Sequence, residues 1–182
     1  MFKDKLIKDC IKQKSKAQFK LYNLYCDAML SVAMRYIKQK DIAEDATQEA
    51  FIKAFKHLAS FTGEVSFGAW LKRIVINQCI DYCRKLKFTD ELSDSNLKVI
   101  DEGFEDDWKV ENHITVNQVK DALEALPEKY AIILKLYLIE GYDHEEISGI
   151  LNIKENNSRI QLYRGKKYLQ KQLKQLNNER FA

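Results

Sequence analysis

The stretch LPEKYAIILKLYLIEGYDHEEISGILNIKENNSRIQLYRGKKYL (126–169) contains three apolar-periodic segments separated by single punctuating residues. Pro127 suits the first turn of a helix, where its missing N–H would have had no intrahelical partner. The segment it opens, PEKYAIILKLYLIE, ends at Gly141, a residue that accepts the left-handed conformation favoured at helix ends. Asp143 and Glu146 then have capping-box spacing and open a short helix, HEEISGIL. Asn152 closes it, because Asn is the non-glycine residue best suited to a positive φ. A long basic helix follows to about Leu176. Two helices joined by a tight Asn corner make a helix-turn-helix.

At about 100° per residue, the last helix separates into two sides. Leu162, Leu169, Leu173 and Leu176 fall on one, with Gly165 among them. Asn156, Arg159, Ile160, Tyr163, Arg164, Lys167 and Lys171 fall on the other. Arg and Lys pair with phosphates, Asn and Arg read base edges, and apolar groups meet thymine methyls in a major groove. The same face would also serve as a solvated basic surface; the preceding helix and the Asn corner favour duplex DNA.

Outward from this stretch, Val119, Ala122, Leu123 and Leu126 mark one more helix, and before it the character of the chain changes. The strip KFTDELSDSNLKVIDEGFEDDWKVEN (87–112) has weak periodicity and dense negative charge and reads as a linker. Charge is segregated: residues 1–87 carry 17 Lys+Arg against 9 Asp+Glu, residues 88–112 carry 2 against 9, and residues 113–182 carry 11 against 9. Within the last segment, residues 154–174 carry 7 Lys+Arg against Glu155 alone, so a basic first module and a basic C-terminal helix flank an acidic tether and suggest polyanion contact at two places. Across 182 residues there are only 6 Gly and 1 Pro, where average usage would give about 22 of the two together. Sheets and long loops need more turn residues than that, so the expected class is all-α, with two small helical modules.

In the first module, Leu21, Leu24, Tyr25, Ala28, Met29, Val32, Ala33 and Tyr36 describe one long amphipathic helix. A second begins near Asp41, which has capping-box spacing to Glu44. Its Ala43, Ala46, Ala50 and Ala54 form a small-residue side for close packing, and Asp41, Asp45, Gln48, Glu49 and Ile52 form its wet side. Carboxylates do not favour DNA, so this face suits a protein partner of opposite charge; charge alone leaves a merely solvated face equally open. After the loop FTGEVSFG (61–68), a third helix is expected from Ser66 or Phe67 to Lys85. Leu71, Ile74, Val75 and Tyr82 mark its buried side. Arg73, Asn77, Ile80 and Arg84 line the other, with Trp70 and Asp81 at the margin. Arg and Asn beside a loop carrying Phe61 and Phe67 could hold single-stranded DNA by charge and stacking, while Trp70 taken alone reads better as core.

Catalytic signatures do not occur: there is no GxxxxGK[ST], HExxH or GxSxG. Asp106 and Asp107 lie in the acidic strip, where no rigid pocket would tune a carboxyl. Cys10, Cys26, Cys79 and Cys83 form no CxxC pair, and His57, His113 and His144 are far apart in sequence, so neither a metal nor a cofactor is expected. Reduced thiols, no apolar run of about 18–20 residues and no signal-peptide core in MFKDKLIKDC give the expectation of a cytoplasmic protein without membrane insertion.

The strings DIAEDATQEAFIKAF, FTGEVSF and WLKRIVINQCIDYCRK, followed by the stretch quoted first, resemble bacterial RNA polymerase sigma factors of the extracytoplasmic function (ECF) group over about residues 19–176. The resemblance implies that residues 1–87 are a region 2 module, which binds the polymerase clamp helices and opens the −10 promoter element. It implies that residues 113–182 are a region 4 module, which reads the −35 element and touches the polymerase flap. Residues 88–112 then take the place of a connector lying in the RNA exit path of related complexes, where negative charge resembles a nucleic-acid mimic or serves the solubility of a tether. By the same resemblance, the acidic docking motif falls on Asp45, Gln48, Glu49 and Phe51. The −10 contacts fall on Phe61, Phe67, Trp70, Arg73, Asn77 and Arg84, with the loop from Phe61 to Phe67 where a flipped base is held. The −35 contacts fall on Asn156, Asn157, Arg159, Ile160, Gln161, Tyr163, Arg164 and Lys167. Core polymerase and promoter DNA are the implied partners, an anti-sigma factor is implied by the family only, and no small-molecule substrate is implied. A free-standing helix-turn-helix regulator is the alternative. Two positions depart from the family: Ser158 replaces an apolar residue, and Lys154 stands where a Ser commonly caps the recognition helix, so that a cap from Asn156 or Asn157 one turn later would shift its start.

Overall fold

The computed structural model describes residues 2–87 and 114–178, so the acidic strip 88–112 lies outside the described residues. The described residues are helical, without strands, and fall into two compact units. The first contains α1 (Phe2–Ile11), α2 (Ser15–Ala33), α3 (Lys40–His57) and α4 (Phe67–Lys87). The second contains α5 (Val116–Glu124), α6 (Glu128–Leu134), α7 (His144–Leu151) and α8 (Glu155–Asn178).

In the first unit α3 packs most extensively against α4, and α2 packs against both while α1 lies on α2. The alanine side of α3 does what its pattern predicts: Ala43, Ala46, Ala50 and Ala54 are all buried, so side-chain bulk does not hold the neighbouring helices away. Leu71, Val75, Ile76 and Cys79 of α4 and Leu21, Met29, Val32 and Ala33 of α2 complete the core. Leu24, expected among these, sits at the edge of the α2 stripe and is half exposed. The expected Asp41–Glu44 box does not form. Helix α3 begins two residues earlier than such a box would start it, at Lys40 after Gln39, with no side-chain cap, and Asp41 falls inside the first turn, where its charge favours the helix dipole. Helix α1 lay outside the sequence expectation; Leu6 and Cys10 anchor it in the core.

In the second unit Thr115 and Gln118 form a capping box at the start of α5. Pro127 occupies the residue before α6 rather than its first turn, with extended backbone at φ −52° and ψ 133°. Helix α6 does not continue unchanged to Gly141, because Lys135–Ile139 widens into a π-helical turn closed by Glu140 N–H donating to the Lys135 carbonyl at 3.0 Å. Gly141 terminates it at φ 77°. Helix α7 has the expected box, with Glu146 N–H donating to Asp143 Oδ1 at 2.8 Å and Asp143 N–H donating to Glu146 Oε2 at 3.2 Å. Asn152 makes the corner at φ 51° and ψ 47°. Helix α8 crosses the other three helices. It lies close enough to α6 that a Cβ on Gly165 would meet the Leu134 side chain at 3.2 Å. No described helix is long and apolar enough to cross a membrane.

Candidate protein and nucleic-acid interfaces

Burial of the alanine stripe turns the opposite side of α3 outward, and Asp41, Asp45, Gln48 and Glu49 are exposed there. Ile52 is 54% exposed beside them, an apolar group in an acidic surface. Phe51 does not share this face. It is 2% exposed, with its ring 4.7 Å from Tyr22 and 6.1 Å from Phe55, so it holds α3 in the core and is not itself a surface contact. The face is also tied to α4. Lys53 Nζ donates to Gln78 Oε1 at 2.5 Å, and Gln78 Nε2 donates to Glu49 Oε2.

At the start of α4, four aromatic rings meet. Phe61, Phe67 and Trp70 are mutually in contact, with centroids 5.4–5.7 Å apart, and Tyr25 meets Phe67 edge-on at 5.2 Å. Phe67 is buried at the centre, so it supports Phe61 and Trp70, which are half-buried and present their outer edges. Trp70 is thus neither core nor open platform. Residues 62–66 are exposed, and the Ser66 hydroxyl accepts from Ala69 N–H at 3.2 Å, starting α4. Arg73 and Asn77 are exposed along one stripe. Arg84 continues it half-buried and is 3.8 Å from Asp81. Ile80, expected on the same stripe, is 2% exposed; helical spacing gives its angle but not which neighbours cover that turn.

On α8 the buried and outward sides separate as the helical spacing predicts. Asn156, Arg159, Lys167 and Lys171 are exposed, and Asn157, Ile160, Tyr163 and Arg164 are half-buried, while Leu162, Leu169 and Leu173 are buried on the opposite side. Gln161 lies at the margin and is half-buried. Lys167 lies over the Tyr163 ring at 5.4 Å, and Arg159 pairs with Glu155 at 2.5 Å. The helix starts at Glu155 directly after Lys154, so Asn156 and Asn157 are in its first turn and do not cap it later. Ser158 has its own explanation. It is fully buried and its hydroxyl lies 2.9 Å from His144 Nδ1, so a polar residue at an apolar position is satisfied across the corner by the first residue of α7. The His144 ring in turn stacks on Tyr137 at 5.1 Å.

Burial, and then the nearby Arg159 charge, hold the His144 pKa below its ordinary 6.5; Lys166 acts in the same direction, and Glu155 and Asp143 oppose. Above about pH 6.5 both folded and unfolded chains carry a neutral imidazole. As pH falls below that value the unfolded chain takes up the proton first, so the second unit loses stability from about pH 6.5 down through the folded-state pKa. Urea melts of wild type and His144→Gln at about pH 7.5 and about pH 5.5 check this: the wild type is expected to lose more stability on acidification than the variant. Equal losses would remove the assignment.

Burial pushes the Cys79 thiol up to about 12 and raises Cys10 as well, which keeps both protonated and unreactive. The four cysteines are free. Among the described residues no cluster of His, Cys, Asp and Glu could hold a metal ion. Sequence periodicity passes over Gln78 and the His144–Ser158 pair. Their signal is a polar residue at an apolar spacing: Gln78 follows Leu71 and Val75 at i+7 and i+3, and Ser158 precedes Leu162 and Leu169.

The family described as Sigma-70 region 2 matches residues 21–89, and Sigma-70, region 4 matches residues 117–169. The ECF RNA polymerase sigma factor SigW of Bacillus subtilis is 31% identical over 185 residues, covering 94% of this chain and 98% of the relative. The chain belongs to the ECF sigma factors. A probable RNA polymerase sigma factor of Haemophilus influenzae is 32% identical over 162 residues, with 78% of this chain and 82% of that protein covered. Two solved structures share the fold of this sigma factor. The sigma factor RpoE in complex with the anti-sigma factor NepR from Bartonella quintana has a TM-score of 0.55 at 21% identity, with 85% of this chain and 95% of that chain covered. CnrH in complex with the cytosolic domain of CnrY has a TM-score of 0.53 at 18% identity, with 93% and 95% covered. A sigma factor directs RNA polymerase to promoters, so this chain acts in promoter-specific transcription initiation. Both halves match sigma regions, which does not favour a free-standing regulator.

Proposed function

We propose that this sigma factor docks on core RNA polymerase through its first module, residues 1–87, and opens the −10 element there, while its second module, residues 113–182, reads the −35 element. The observation that carries this reading is the outward face of α8, where Asn156, Arg159, Ile160, Tyr163, Arg164 and Lys167 share a cationic, partly apolar surface behind an Asn152 corner. Such a face fits a major groove, with Lys and Arg on phosphates and the remaining groups on base edges. In the first module, Asp45, Gln48 and Glu49 supply the polymerase contact. Phe61, Trp70, Arg73 and Asn77 supply an aromatic edge and a polar stripe for unpaired DNA, with Phe67 behind them and Arg84 at the far end. Extruding a base costs a few kcal/mol of stacking, which this edge and stripe offset. Each contact is modest alone; joining the two raises the effective concentration of the second.

The chain performs no catalysis of its own and works in the cytoplasm, where the polymerase supplies the chemistry. The two solved relatives are each bound to a second protein, in RpoE the anti-sigma factor NepR, which supports an anti-sigma partner here too. The experiment is run-off transcription on genomic fragments with core polymerase, with and without the purified chain. New start sites that appear only with the chain, preceded by a shared pair of sequence elements, are the expected result. Initiation sites unchanged by the chain would refute the reading.

A further inference from the structure

Glu49 and Lys53 stand at i and i+4 on the exposed side of α3, the spacing at which a Glu–Lys pair ordinarily meets directly. Here they are joined through a third residue that comes from the core. Gln78 of α4 is 6% exposed, and its side-chain amide reaches out between them. Lysine only donates and a carboxylate only accepts, so one amide orientation satisfies both. Lys53 Nζ donates to Oε1 at 2.5 Å, which turns Nε2 toward Glu49 Oε2. The amide is packed between α3 and α4, with Gln78 buried in that helix interface.

We infer that Gln78 is a positioning residue for polymerase docking: clamped by Lys53, it holds the Glu49 carboxylate in a fixed orientation on the outer face of α3. This rests on the proposed docking role of Asp45, Gln48 and Glu49. A glutamate on a helix surface samples several rotamers, and ordering it at the moment of binding weakens association. Glu49 is ordered beforehand. One hydrogen bond from Gln78 also leaves acceptor capacity on the carboxylate for a cationic partner. The residue next to Gln78 is Asn77, on the exposed stripe of α4, so the bond joins the two working helices of the module where they pack.

The test measures binding of fluorescently labelled full-length chain to core polymerase without DNA. Gln78→Met keeps the volume of the side chain and removes both hydrogen bonds. Lys53→Met, at an exposed position, removes only the group that orients the amide and does not threaten the core. Each is expected to weaken binding roughly three- to ten-fold in a Glu49 background. Neither is expected to weaken it further once Glu49→Ala is present, since a residue that acts only through Glu49 has nothing left to position. Full affinity for Gln78→Met or Lys53→Met, or an equal loss in the Glu49→Ala background, overturns the positioning role while Glu49 keeps its own. If Glu49→Ala itself binds like wild type, the docking assignment of Glu49 fails and the inference fails with it. A purely structural effect of Gln78→Met would lower the melting temperature and weaken binding regardless of residue 49.

Discussion

Asp45→Arg combined with Glu49→Arg is expected to abolish association with core polymerase while the chain stays helical. Both side chains are exposed on α3, and the residues that hold that helix in place, Ala43, Ala46, Ala50, Phe51 and Ala54, are buried on its other side. The double reversal therefore leaves the core packing untouched; among the described residues it removes the bond from Gln78 to Glu49. Across an interface, a close charge pair has a coupling energy of about 1.5–7 kcal/mol. Two reversals replace two attractions with two repulsions, which is enough to take a tight complex below detection. Co-elution with purified core polymerase measures the effect, and far-UV circular dichroism with a thermal melt shows whether the fold survives. Retained binding by a folded double variant would remove α3 as the docking helix.

The second large effect is expected from Arg159→Ala. If Arg159 reads a base edge, its loss weakens −35-dependent initiation by about 1–3 kcal/mol and relaxes preference at one promoter position. Arg159 is held by Glu155 at 2.5 Å, an exposed pair, and it must exchange that partner for DNA. Exposed pairs contribute about 0–1 kcal/mol, less than a bidentate base contact, so the exchange still favours the complex. Lys167→Ala is the control, since a phosphate contact lowers binding to all sequences alike and reduces the salt dependence by about one unit of slope. Initiation rates across a set of single-base promoter variants separate the two behaviours. Unchanged output for Arg159→Ala, or a loss uniform over every sequence, would strip it of the base-reading role.

Most of the architecture was legible because its boundaries are set by local chemistry. Asn152, Gly141 and the Asp143–Glu146 box need only their own φ angles and a hydrogen bond three residues away, and all three are formed as expected. The alanine stripe of α3 and the leucine side of α8 follow in the same way from helical spacing. The expectations that failed depended on neighbours. The box at Asp41 lost to an earlier start at Lys40, Ile80 was covered by its surroundings, and Phe51 went inward against Tyr22 and Phe55. A motif carried over as one string therefore mixes exposed and buried roles: Asp45, Gln48 and Glu49 face out, and Phe51 anchors them.

By itself the amino-acid sequence determined the helical class, the helix-turn-helix corner, the polarity of each helix and the segregation of charge, because each is a property of residues within a few positions of one another. It also carried the family resemblance. Only the tertiary structure decided which polar groups act together. Gln78 reaches Glu49 and Lys53 across 29 and 25 positions, and Ser158 reaches His144 across 14. Such pairs follow from how helices pack against one another, and a period of 3.6 residues carries no information about the helix that lies opposite.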